Sequence, residues 1–264
     1  MRTADGSFTL AQPVHGQCCH SEAGAWEEAR LRYAAACRLP ERARSEPRLR
    51  LLDVGTGLGL NLAAALEALR GTRCRLEVLT LELDAAVLRA AFALFARERH
   101  ALDPVLARAW GPTLQALARA LEAGTPDPLE WEGGTLRLVL GDARATLPAL
   151  PEQRFDAVFL DAFSPGVEPE LWSAPFLGEL ARRMAPASLL STYSSAIGVR
   201  VALAAAGLRL GTGARVGTKA SGTLASPDLE LPALQGRLAR RIARRAGALG
   251  GIPLPGGTSR AERG

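Results

Sequence analysis

Between Arg48 and Gly71 the chain reads RLRLLDV, then GTGLGLN, then LAAALEALRG. An apolar strand runs into a turn holding three glycines, and the turn opens a helix stopped by Gly71. This order constrains the fold more than any other stretch. A strand, a glycine turn and a helix begin a crossover, and parallel strands need such crossovers. The alternation then continues. CRLEVLTLEL reads as a strand and DAAVLRAAFALFARER as a helix capped by Asp84. PTLQALARALEAG reads as a helix, and PLEW and TLRLVLGD as two strands of a hairpin around EGG. A short helix runs through Leu150. FDAVFLD is nearly continuously apolar, as central parallel strands are. A helix follows over about Trp172 to Met184, then ASLLSTYS as strand, AIGVRVALAAAG as helix, and LRLGTGARV and GTLAS as closing strands. The expected fold is α/β, a mostly parallel seven-stranded sheet with helices on both faces.

Around this core, residues 1–47 read as an N-terminal extension, with a helix from Glu22 to about Cys37 capped by Ser21. Trp26 and Tyr33 are available there for burial. Residues 48–230 form the main domain, with an insertion at about 103–134. Residues 231–264 read as a basic helix followed by a Gly- and Pro-rich disordered tail.

Composition narrows the function classes. Hydrophobic residues make up 48% and charged residues 22%, as in soluble globular proteins. The sequence has no apolar run long enough to span a membrane and no apolar signal core at its start, so a cytoplasmic protein with no membrane partner is expected. Four cysteines occur without CxxC spacing. The adjacent Cys18 and Cys19 in HGQCCH suit one tetrahedral ion poorly, so no metal is expected and the thiols read as reduced and structural. The net charge of +5 is uneven. From Leu231 onward there are seven arginines against Glu262 alone. Such a run suits an RNA backbone. It equally suits a solvated face in an arginine-biased chain, in which Lys219 is the single lysine.

The glycine turn places Gly55, Gly57 and Gly59 where backbone can approach a ligand closely. The spacing is G-x-G-x-G, not the G-x-G-x-x-G of dinucleotide sites. That favours S-adenosylmethionine, whose ammonium needs oxygen acceptors. Asp53, at the strand end, is one candidate; Thr56 and Asn61 lie in the same stretch. Glu82 ends the next strand, where a carboxylate accepts ribose hydroxyls. Asp142 ends a third, within reach of an adenine amino group.

LDVGTGLGLN, LVLGDARATLPAL, FDAVFLDAFSPGVEPELW and LLSTYSSAIGVRVALAAAGL resemble the methyltransferase domain of the MnmC-type tRNA wobble-uridine modification enzymes. DGSFTL and HSEAGAWEEARLRY resemble that family's N-terminal segment. The resemblance covers roughly residues 3–226. Its most specific element is Asp161, Phe163, Pro165, Pro169 and Trp172. Two places depart from the pattern: Cys19 stands where an aromatic is expected, and GTGARVGTKASGTLAS is a loose match.

The resemblance implies a Rossmann-like class I methyltransferase fold. It implies methyl transfer from S-adenosylmethionine to a 5-aminomethyl group on the wobble uridine of tRNA. Many members carry a flavin-dependent oxidase domain. This chain is too short for one, so a standalone enzyme without flavin, working alone or beside a separate oxidase, is expected. Asp161 is expected to hold the amine and receive its proton. Phe163, Ser164, Pro165 and Trp172 would wall in the base, with Tyr193 and Ser194 at the next strand end. Lys219 is a candidate phosphate contact. Two other classes remain open from the residues: a small-amine or small-molecule transferase of the spermidine synthase-like kind, and a non-catalytic RNA-binding protein with this fold.

Overall fold

The computed structural model describes residues 1–9, 11–12, 17–18, 24–217 and 221–249. Lys219, the Ser21 cap, most of HGQCCH and the Gly- and Pro-rich tail beyond Leu249 lie outside the described residues.

The elements follow in chain order. A two-stranded ribbon, β1 (Ala11–Gln12) and β2 (Gln17–Cys18), precedes α1 (Ala25–Glu28), a π-helical segment (Ala29–Ala35) and α2 (Leu39–Arg42). Then come β3 (Arg48–Val54), α3 (Leu60–Ala68), β4 (Arg75–Glu82), α4 (Ala85–Glu98) and α5 (Pro104–Ala123). β5 (Leu129–Trp131), β6 (Gly134–Leu140), α6 (Ala143–Ala149) and β7 (Phe155–Leu160) follow. The last are α7 (Ala174–Arg182), β8 (Met184–Thr192), α8 (Ile197–Ala205), β9 (Arg209–Thr212), β10 (Thr223–Ser226) and α9 (Gly236–Ala248).

The main sheet has eight strands in the order β5-β6-β4-β3-β7-β8-β10-β9. The sheet is one strand larger than the seven expected, and all eight segments read as strands take part in it. The edge strand β5, read from PLEW, returns on β6 through Glu132 and Gly133, the glycine taking φ 84°. β6, β4, β3, β7 and β8 are parallel, while β10 runs antiparallel to β8 and β9 to β10. The chain builds outward from β3 through β4 to β6, then crosses back to β7 on the other side. β3 and β7 therefore flank the topological switch point, where open α/β sheets bind ligands beyond the strands' carboxyl ends.

Two local departures from the sequence reading matter for the site. Helix α5 starts at Pro104, capped by Asp103, and runs through Pro112 instead of starting there. Proline forfeits one ladder hydrogen bond in a helix interior. Burial of Trp110, Leu114 and Leu117 on that helix outweighs the loss. The first helix begins at Ala25, and Gly24 offers no side-chain cap. Its free amides are met from far away: Ser7 Oγ accepts from Ala25 and Trp26, and Asp5 from Glu27. A side chain at Gly24 would meet the Asp5 carboxylate at 2.8 Å. The DGSF loop thus fixes where the N-terminal helix starts.

Candidate active site

The glycine turn is pressed against the start of the loop after β7. The Asp161 amide donates to the Val54 carbonyl at 3.0 Å. Gly55 has φ 90°, and a Cβ there would stand 2.8 Å from the Asp161 carbonyl oxygen. Only glycine permits that approach. The turn is steadied from behind by α5, where the Trp110 indole donates to the Leu58 carbonyl at 2.7 Å.

Asp161 is half-buried at the end of β7. Its Oδ1 accepts from the Tyr33 hydroxyl at 2.5 Å and its Oδ2 from Asn61 Nδ2 at 2.8 Å. Tyr33 comes from the π-helical segment, a geometry frequent at functional sites. The ring is fully buried against Phe159, with centroids 5.4 Å apart. Burial, then the Asp161 charge, hold the Tyr33 hydroxyl well above its ordinary range, so it stays a donor. Sequence reasoning assigned Tyr33 only to burial. The available signal was its polar tip, because a buried tyrosine hydroxyl needs a partner.

Beneath the turn, Asp53 is fully buried. Its Oδ2 accepts from Thr80 at 2.7 Å, and the Thr80 and Thr56 hydroxyls are 2.5 Å apart. Burial raises the Asp53 carboxyl well above its usual range, against the Thr80 bond. Glu82 closes the turn: Oε2 accepts from the Gly57 amide at 2.8 Å and Oε1 from the Asp84 amide at 3.0 Å. Burial raises it too, opposed by those amides. Asp84 caps α4 through the Ala86 amide, as expected.

The structure therefore joins Asp53, Gly55, Thr56, Gly57, Asn61, Glu82 and Asp161 around one turn. Gly59, at φ 75°, leads into α3 and packs against Leu117 of α5. Asp142 stands at the neighbouring strand end, where the Gly141 amide donates to the Glu82 carbonyl. Its carboxylate is instead turned onto Arg144, which holds it below its usual range.

The loop after β7 has successive backbone groups clamped by side chains. Tyr193 donates to the Ala162 carbonyl at 2.9 Å, and Trp172 to the Phe163 carbonyl at 2.7 Å. The Phe163 amide donates to Glu168. Trp172 is only 5% exposed and meets Tyr193 edge-on. The structure thus places Trp172 under the loop as a strut, not as an open face. Phe163, Ser164 and Pro165 are half-buried along it. Ser194 is buried behind Tyr193.

Among the described residues no group of three or more His, Cys, Asp or Glu side chains is arranged to hold a metal ion. No helix among them is long and apolar enough to cross a membrane. Cys37 and Cys74 are buried free thiols. Burial pushes the Cys37 thiol up to about 12.

S-adenosylmethionine fits this donor set. Asp53 Oδ1 and Asn61 Oδ1 are buried acceptors without a protein donor. They flank the glycine turn, and buried acceptors call for donors such as an ammonium. Fold and site together define a class I S-adenosyl-L-methionine-dependent methyltransferase, and the profile of a family described as S-adenosyl-L-methionine-dependent methyltransferase, with no class given, matches residues 114–228. The tRNA 5-methylaminomethyl-2-thiouridine biosynthesis bifunctional protein MnmC of Aromatoleum aromaticum is 39% identical over 78% of this chain and 31% of its own length. The protein of that name from Pseudomonas paraeruginosa is 36% identical over 75% of this chain and 30% of its own. The crystal structure of MnmC2 from Aquifex aeolicus matches with a TM-score of 0.76 and 30% identity, over 91% of this chain and 74% of that one. The chain belongs to the MnmC-type methyltransferase family. It spans about a third of the length of the curated relatives it matches.

Proposed function

We propose that the chain methylates the primary amine of a 5-aminomethyl group on the wobble uridine of tRNA, giving 5-methylaminomethyl-(2-thio)uridine. The observation that carries this reading is the Asp161 carboxylate, gripped by Tyr33 and Asn61 at the switch point beside the glycine turn. The names of its bifunctional relatives supply the substrate.

S-adenosylmethionine, when bound, supplies an electrophilic methyl group on a sulfonium. The chain's task is to bring an amine to it with a free lone pair. A primary alkylamine is mostly protonated near neutral pH. Asp161 attracts the ammonium, takes one proton and leaves the nitrogen aimed at the methyl carbon. Holding both carboxylate oxygens fixes the direction in which the amine is drawn. Asp53 and Asn61 would hold the cofactor's ammonium and Glu82 its ribose hydroxyls, with Gly55, Thr56, Gly57 and Gly59 shaping the backbone around it. Asp142 would reach the adenine once Arg144 releases it. Phe163, Ser164 and Pro165 would face the flipped base, while Trp172 and Tyr193 keep that loop in place. A separate flavin-dependent oxidase is the proposed partner that exposes the amine.

Incubation with labelled S-adenosylmethionine and tRNA lacking the final methyl group, followed by nucleoside mass analysis, tests the reading. One added methyl on the aminomethyl uridine is expected. Label in free polyamines or other small amines, with none in tRNA, refutes it.

A further inference from the structure

Helix α9 is the most unevenly charged element of the molecule. Arg237, Arg240, Arg241, Arg244 and Arg245 recur at helical spacing and fall on one face. The helix holds no acidic residue. All five arginines are exposed, and among the described residues none of them forms an ion pair. Elsewhere arginines share their surfaces with acids, and several pair with them: Arg42 faces Glu46 and Asp156, Arg108 faces Glu67, and Arg183 faces Glu179. An arginine bias acting alone would leave α9 as mixed in charge as those surfaces. Instead, like charges stand at i and i+4 three times over, an arrangement that opposes helix formation in the absence of a counter-charge.

The opposite face is already used. Ile242 and Ala246 are buried, with Leu238 beside them, against Val201 and Ala204 of α8. An amphipathic helix that lies in a bilayer needs its apolar face free. Here only the charged face is on offer, which favours a polyanion of regularly spaced charges over a lipid surface. α9 packs on Val201 and Ala204 in the second half of α8, the helix that follows β8 and Tyr193 in the chain.

We propose that the arginine face of α9 is a docking surface for the phosphate backbone of RNA, engaging the body of the tRNA away from the modified nucleotide. The identity of that RNA as tRNA rests on the function proposed above; the surface itself does not.

The test uses the full chain with Arg237, Arg240, Arg241, Arg244 and Arg245 all changed to Gln, beside a variant with all five changed to Lys. Bulk tRNA is the probe, titrated at several salt concentrations. Each phosphate contact contributes about 0.7–0.9 to the slope of log affinity against log salt. The Gln variant is expected to lose about 3 or more from that slope and to raise the KM for tRNA at least tenfold. Its kcat at saturation, its thermal shift with S-adenosylmethionine and its circular dichroism should stay as in the parent. The Lys variant, which keeps the charge, should retain the salt slope. Unchanged tRNA affinity and slope in a folded Gln variant overturn the proposal. So does loss of binding to phosphatidylserine vesicles with tRNA binding intact. If the parent binds tRNA through these arginines yet transfers no methyl group to it, the methylation reading fails and the surface stands.

Discussion

Replacing Tyr33 with Phe removes one oxygen and leaves the ring on Phe159. The lost group donates to Asp161 Oδ1 at 2.5 Å from a fully buried position. A hydrogen bond to a charged acceptor is worth roughly 1.5–3 kcal/mol. Asp161 is half-buried, so water can take up part of the loss; about 1–2 kcal/mol of destabilisation should remain, or roughly 2–6 °C in Tm at this chain size. The larger effect is on catalysis. Without the Tyr33 hydroxyl, Oδ1 loses the donor that fixes its direction. If most of the interaction is felt only when the amine is being deprotonated, kcat falls about 10- to 100-fold, since each 1.36 kcal/mol is a factor of ten. Cofactor affinity should hold, because Tyr33 touches no group assigned to it. Single-turnover methyl transfer to tRNA, with a thermal-shift titration of S-adenosylmethionine alongside, reads both quantities. Asn61→Ala in the Tyr33→Phe background should cost less or more than the sum of the single changes, as expected for residues gripping one carboxylate. A folded, cofactor-binding Tyr33→Phe enzyme with wild-type kcat would refute the reasoning.

Asp161→Asn keeps the shape of the site and removes its charge; methyl transfer should fall at least about 100-fold while S-adenosylmethionine binding stays within about twofold, both read in the same assays. Gly55→Ala places a methyl 2.8 Å from the Asp161 carbonyl at φ 90°; urea denaturation should show a loss of about 2 kcal/mol or more, with calorimetry showing lost cofactor binding. Burial holds the Asp53 carboxyl well above its ordinary 3.8, so the folded chain keeps a proton that the unfolded chain releases. Its contribution to stability is therefore present below that ordinary value and is lost as pH rises through the folded one. Without cofactor, Asp53→Asn should flatten the decline in stability from about pH 4 upward relative to the parent; parallel curves by urea denaturation would contradict this. Trp172→Phe removes the indole donor from the Phe163 carbonyl, and steady-state kinetics should show a KM for tRNA raised about threefold or more with cofactor binding unchanged.

What was legible in the sequence was local. The strand, the glycine turn and the helix announce themselves over two dozen residues, and the acids at the ends of β4, β6 and β7 follow strands whose apolar runs are plain. What was not legible depends on separation along the chain. Tyr33 lies 128 positions from the carboxylate it holds, and the π-helical geometry that aims it has no sequence period to betray it. Ser7 caps a helix 18 residues away, a bond invisible to any rule that looks for caps beside the helix. Trp172 could be read as a wall for a base or as core; only the path of the loop decides, by bringing the Phe163 carbonyl within 2.7 Å of the indole. Asp142 was correctly placed at a strand end, yet Arg144 two residues on claims its oxygens. These cases share one cause. Sequence patterns report which residues sit at a strand end, because strand periodicity sets that. They do not report which partners hold a side chain there, because those come from segments joined only by the packed fold. A carboxylate's position at the switch point is thus a property of β7 alone, whereas its direction is a joint property of β7, α3 and the N-terminal segment. Methyl transfer needs the direction as well as the position. On the mechanism proposed here the N-terminal extension is therefore a working part of the site, although nothing in its local pattern marks it as one.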